Sequence, residues 1–235
     1  MGLKLRPAYD SLRWLDPPLS DDRHLATSPG AELSYPTGSM SLMDKAVAAV
    51  AELVSSIAPV DAVEARHRVA ALEWLRGTDD VFRREKPATP PRHLVSYVVP
   101  TDPLDGAVLL AAHRNAGLWL PPGGHVEPGE HPADTARREL VEELSVSGDV
   151  AGRPAFLTIT TTVGLDAGHE DVSFWFEAAV PRTAELHPDD GEFAGVRWWS
   201  RSEVAAADPA EFDPHFGRYL AKTARLAGRR ADAGR

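Results

Sequence analysis

The segment from Gly123 to Val146, GGHVEPGEHPADTARRELVEELSV, constrains this chain more than any other. A helix is predicted from about Pro132, suited to a first-turn position, to Leu144. On it Glu139, Glu142 and Glu143 are spaced i, i+3 and i+4, so three carboxylates share one face within a turn. Like charges that close repel, and the arrangement costs helix stability unless cations compensate. Hard divalent cations such as Mg²⁺ or Mn²⁺ take oxygen ligands of this kind. Gly123 and Gly124, lacking side chains, let the preceding backbone approach phosphate or metal closely. Arg138 precedes Glu142 by four residues and Glu130 lies one loop upstream. Its fork of donors can clamp a carboxylate, so an Arg138–Glu130 or Arg138–Glu142 pair would stiffen the loop and helix. Leu140 and Leu144, on the opposite side, would anchor the helix to a sheet.

The rest of the chain supplies that sheet. Residues 1–42 carry five prolines and no sustained period, and read as an irregular leader, with a start nearer Met40 or Met43 as the alternative. From Met43, residues Val47, Val50, Ala51, Val54 and Ile57 fall at helix spacing up to Pro59. Asp61 can cap a second helix that runs to Gly77. The two read as a hairpin that packs on the main domain or on a second subunit, which leaves a homodimer open. Residues 78–92 are charged and proline-rich, a linker. Strands are predicted at 93–99, 107–112, 118–120, 155–163, 172–180 and 196–199. Residues 202–206 and about 214–226 are helical, and 228–235 form a basic tail. Strands interrupted by one central helix and closed by C-terminal helices make an α/β sandwich with a mixed sheet.

The 23-residue segment from Gly124 to Val146 resembles the Nudix box, G-x5-E-x7-R-E-U-x-E-E-x-G-U, where U is a bulky aliphatic residue. Gly124, Glu130, Arg138, Glu139, Leu140, Glu142, Glu143 and Val146 stand at the matching positions. The approach LWLPPGG at 118–124 also resembles the family's W-x-L-P-G-G. One position departs: Ser145 replaces the last glycine, where a left-handed residue costs a non-glycine about 1 kcal/mol. The resemblance implies a Nudix-type α/β/α sandwich over residues 91–227, with the N-terminal helical extension, 43–90, outside it. It also implies hydrolysis of a diphosphate linkage by attack of water on phosphorus. Mg²⁺, with Mn²⁺ as substitute, would be held by Glu139, Glu142, Glu143 and the Gly124 carbonyl. Glu139 is the general base expected within the box; Glu192, Glu170 and Glu185 are the distant candidates.

Composition narrows the class further. The chain has no cysteine, which excludes disulfides, thiolate metal sites and cysteine nucleophiles. A net charge of −10 argues against a general nucleic-acid binder. No apolar run spans a membrane and no signal sequence is apparent, so a cytoplasmic protein is expected. A small nucleotide is the expected partner, with a nucleoside triphosphate or oxidised nucleotide ahead of a nucleotide sugar or dinucleotide. A non-catalytic Nudix sensor is the contrasting reading, and the intact glutamate set favours the enzyme. Gly123, Gly124 and His169 are the candidate substrate contacts; the alternative for His169, within Gly168–Asp171, is a polar turn at a strand end. Trp175 and one or both of Trp198 and Trp199 read as core, with base stacking the alternative for that pair, and His113 to Asn115 as an exposed turn, with the pocket mouth the alternative.

Overall fold

The computed structural model describes residues 42–86, 89–162 and 168–233. The expected leader, apart from its last residue, lies outside them. Two helices come first: α1 (Leu42–Ser56) and α2 (Ala62–Gly77). Asp61 caps α2 by accepting from the Glu64 amide, which supplies one of the acceptors a helix start lacks. Val50, Leu53 and Val54 of α1, and Ile57 just past its end, are buried.

Among the described residues eight strands follow: β1 (Arg92–Thr101), β2 (Val108–His113), β3 (Leu118–Leu120), β4 (Gly123–His125), β5 (Asp149–Val150), β6 (Phe156–Thr161), β7 (Glu170–Ala179) and β8 (Phe193–Trp199). Helix α3 (Pro132–Leu144) stands between β4 and β5, and α4 (Arg201–Ala206) and α5 (Phe216–Ala233) close the described chain. The predicted strands are all present, with ends displaced by a few residues. Two strands are new. The glycine segment forms β4, antiparallel to β1, and Asp149–Val150 pairs with the end of β7. Helix α5 runs past the predicted end near 226, through the start of the expected basic tail.

The sheet is mixed because β1 pairs in parallel with β7 over ten residues, while the other pairings are antiparallel. Alternation along β7 explains the layers. Phe174 and Phe176 face a core shared with Leu140 and Leu144 of α3, whereas Trp175 faces the other side, stacked on Tyr219 of α5 at 5.3 Å. Leu140 and Leu144 are 1% and 0% exposed; burying a leucine contributes about 1.5–3 kcal/mol. The result is the expected α/β/α sandwich with flanking helices.

The N-terminal helices pack on this domain. Glu64 and His67 of α2 point at the free side of β6 and accept from the Leu157 and Ile159 amides, each at 3.3 Å. Glu64 also pairs with Lys222 of α5 at 2.6 Å, both side chains buried. Val81 and Phe82, in the segment read as a linker, are buried, and the Leu94 amide donates to Val81 O. Among the described residues, no helix is long and apolar enough to cross a membrane.

Candidate active site

One face of the acidic helix lies against the glycine strand. His131 Nδ1 accepts from the Ala133 amide and Pro132 follows at the first helical position, so α3 begins where the loop ends. Its C-terminal cap is Ser145, at φ 54° and ψ 30°, the left-handed conformation a glycine would adopt without strain. The Ser145 amide bonds Val141 O at 2.9 Å and terminates the helix at the expected place.

Arg138 makes both pairings that the sequence offered as alternatives. Its Nε and Nη2 donate to the two oxygens of Glu130 at 3.0 Å each. Nη1 donates to Glu139 at 2.7 Å and to Glu142 at 2.9 Å, and Nη2 also reaches His125 O at 3.2 Å. Burial alone would push the Glu130 carboxyl up, but bonds from Arg138 and Thr135 outweigh it and hold it below the usual range. The clamp thus ties loop, strand β4 and helix into one rigid piece.

Gly123 and Gly124 are required sterically. A Cβ on Gly124 would collide with the Glu139 carboxylate, and one on Gly123 with the backbone of Ser96 and Tyr97. The Gly123 amide donates to Glu143 Oε2 at 3.0 Å. Glu139 and Glu143 are buried against this strand, whereas the Glu142 side chain is 57% exposed and held by Arg138.

A cavity of about 600 Å³ opens here. Its walls include Gly123, Gly124, Arg138, Glu139, Glu143 and Glu192, with Tyr97, Phe193 and His113. Burial pushes the Glu143 carboxyl up to about 9, reinforced by the charges of Glu139 and Glu192. Glu139 is also raised, again chiefly by burial. Carboxylates crowded in a low-dielectric wall favour an added positive charge, and the donors are all oxygen. The residues therefore fit a hard divalent cation, with Glu139 and Glu143, beside Gly124, as candidate ligands.

The distant carboxylates separate cleanly. Glu192 lines the cavity and meets His113 Nε2 at 3.1 Å. Glu170 is held by Arg92, and Glu185 is exposed beside His187; neither lines the cavity. His169 is buried rather than set in the cavity wall, with Nε2 at 3.4 Å from Asp171. His113 and Asn115, read as an exposed turn, line the cavity, as does Arg83 from the charged segment. Trp175 and Trp199 are core, as expected, and Arg197 lies over Trp199 at 3.9 Å.

His93 and His125 were not singled out from the sequence, and Asp171 only as part of the Gly168–Asp171 cluster. Register brings them together: His93 pairs with Asp171 across β1 and β7, and His125 pairs with Val95 across β4 and β1. No spacing within one segment signals this, because the residues come from three strands. Burial holds the His125 imidazole down to about 3, so the ring is neutral.

An α/β/α sandwich with a mixed sheet, an arginine-clamped glutamate helix and a glycine strand defines a domain of the Nudix class. The NUDIX domain family model matches residues 90–220, and the chain belongs to that family. Its coarse class is a Nudix hydrolase of diphosphate-containing substrates. The chain is 30% identical over 127 residues to an isopentenyl-diphosphate delta-isomerase of Cereibacter sphaeroides, an alignment covering 50% of this chain and 72% of the relative. It is 43% identical over 44 residues to rat diphosphoinositol polyphosphate phosphohydrolase 2, covering 19% and 25%. Among solved structures, a MutT protein from Methanosarcina mazei is similar at 19% identity and a TM-score of 0.48, covering 57% of this chain and 94% of that one.

Proposed function

We propose that the chain is a Mg²⁺-dependent pyrophosphohydrolase that cleaves the diphosphate linkage of a nucleotide or nucleotide derivative. The observation that carries this reading is the convergence of Glu139 and Glu143 on the Gly123–Gly124 strand inside one cavity. Glu139, Glu143 and the Gly124 carbonyl would hold the cation, with Glu142 completing the set from the exposed side. When bound, the cation neutralises diphosphate charge and acidifies water.

The chain's own residues do the rest. Arg138 orients Glu139 and fixes Glu142, so the carboxylates need not reorganise during turnover. Glu192, in the cavity wall and tied to His113, accepts the proton of the attacking water; it is the distant candidate that lines the cavity. Tyr97 and Phe193 supply flat walls for the rest of the substrate. The cavity volume falls within the usual range of roughly 300–1,000 Å³ for small-molecule sites. A nucleoside triphosphate or oxidised nucleotide is the first substrate class, with nucleotide sugars and dinucleotides next.

A second reading, isomerisation of an isopentenyl diphosphate without cleavage, is favoured by the 30% identity to the isomerases. One panel separates the two. The purified protein is incubated with Mg²⁺ or Mn²⁺ and nucleotides, nucleotide sugars, dinucleotides or isopentenyl diphosphate, alongside Glu142→Gln and Glu143→Gln. Release of nucleoside monophosphate or pyrophosphate that falls in the variants supports the hydrolase. Double-bond migration with the diphosphate retained supports the isomerase; no turnover, or variants equal to the parent, overturns the catalytic reading.

A further inference from the structure

Next to the box, a second group of side chains has the form of a metal site built on different chemistry. His93, His125, His169 and Asp171 each offer one ligand atom, and these atoms lie within 4.8 Å of one another. His93 Nε2 is 3.1 Å from His125 Nε2 and 3.2 Å from Asp171 Oδ1. Asp171 Oδ1 is 3.4 Å from His169 Nε2 and 4.0 Å from His125 Nε2. A tetrahedral ion bound at about 2.0–2.1 Å spaces its ligands about 3.4 Å apart, in the middle of these separations.

Hydrogen bonding orients two of the rings, each through its Nδ1. His93 Nδ1 lies 2.9 Å from the Pro90 carbonyl, which can only accept, so the proton is on Nδ1 and a neutral ring turns a bare Nε2 inward. Thr162 Oγ1 lies 3.0 Å from His169 Nδ1, so this ring too has an outer partner on its far nitrogen. Metal-binding imidazoles are oriented by outer partners in this way. Asp171 Oδ1 is buried and receives no hydrogen bond among the described residues, although three imidazole nitrogens surround it. A buried carboxylate oxygen ringed by imidazole nitrogens is satisfied by a cation once those nitrogens are unprotonated.

We infer that His93, His125, His169 and Asp171 form a binding site for one first-row transition-metal dication of the Zn²⁺ class, distinct from the all-oxygen site on α3. Three imidazoles and one carboxylate select such an ion over Mg²⁺. The site links β1, β7 and the turn before it to β4, the strand that carries Gly123 and Gly124. His125 and Asp171 also line the cavity, so the ion's charge would be felt where the diphosphate is expected. The consequence is a strand staple that positions the glycine backbone.

The test uses Co²⁺, whose visible absorption reports nitrogen ligation, titrated into chelator-dialysed full-length protein in excess Mg²⁺ and displaced with Zn²⁺. An absorption band saturating near one equivalent per chain is expected, retained in Glu143→Gln and weakened at least tenfold in His93→Gln and Asp171→Asn. Where a ligand variant does not fold by circular dichroism, Thr162→Val, which removes the hydroxyl beside His169 Nδ1, should weaken binding roughly 10–100-fold. No saturable band in the parent protein overturns the site, as does a band lost in Glu143→Gln or unchanged in the folded variants. Such a failure leaves the hydrolase reading standing, because the readout is a spectrum rather than turnover.

Discussion

The Glu139 carboxylate occupies the space that a Cβ on residue 124 would need, so Gly124 and Glu139 define each other's position. Any side chain at 124 must displace the carboxylate that the cavity is built around. Gly124→Ala is therefore expected to lower kcat on the order of 100-fold, the cost of misplacing a reacting group by about 1 Å. Stability should fall by only about 1–3 kcal/mol, the usual cost of overpacking. Steady-state kinetics at saturating Mg²⁺ and a denaturant melt together check this. A variant with full activity would show that Glu139 is not held by this contact.

Arg138 bonds Glu130, Glu139, Glu142 and a backbone carbonyl at once. A lysine carries one ammonium and cannot make that set. Arg138→Lys should consequently behave almost like Arg138→Ala, with a loss of about 2 kcal/mol in stability and a larger loss in kcat than in KM. Recovery of the parent kinetics by lysine would reduce the clamp to a simple positive charge.

Asp213 is buried before α5, where its Oδ1 accepts from the His215 amide at 2.7 Å, and burial pushes its carboxyl up to about 7. The folded state then holds a proton that the unfolded chain releases near pH 4. This group's contribution is fully present below pH 4 and is lost as pH rises toward 7, at most about 4 kcal/mol for a shift of this size. Asn keeps the acceptor without the charge. Asp213→Asn should be more stable than the parent at pH 8 and similar to it at pH 4, measured by urea unfolding; equal stability at both would place the titration elsewhere.

Ser145 adopts the left-handed conformation that its family position ordinarily gives to glycine. Ser145→Gly should relieve up to about 1 kcal/mol of backbone strain, partly offset by greater freedom in the unfolded chain. A small rise in Tm with unchanged kinetics is the expected outcome.

The pair Glu64 and Lys222 is buried, Glu64 completely. Glu64→Gln alone leaves an uncompensated buried charge, a loss of about 3–5 kcal/mol. Adding Lys222→Met should restore part of it, and a double variant no better than the single one would show that the two side chains act independently.

How much of this was legible in the sequence follows from the range of each interaction. The arginine clamp, the helix on Leu140 and Leu144, and the left-handed Ser145 depend on spacings within one segment, and periodicity exposes those. The sandwich follows from strand and helix order. Strand β4 was missed because a glycine pair carries no strand propensity; its pairing with β1 decides it. Glu192 could be offered only alongside Glu170 and Glu185, because loop placement selects among them. The cluster at His93, His125 and Asp171 arises from strand register between segments far apart in the chain, which no local pattern encodes.

The acceptors that Glu64 and His67 present to the Leu157 and Ile159 amides occupy the side of β6 that β7 leaves open. An open strand is a template for another chain, and proteins usually blunt it with charge, proline or a covering element. Here the cover is a helix that precedes the family domain in the chain. Cutting the protein back to residue 90 would therefore release a sticky edge rather than a tidy catalytic core. The shortened protein is expected to self-associate through β6, which makes the N-terminal helices guardians of solubility.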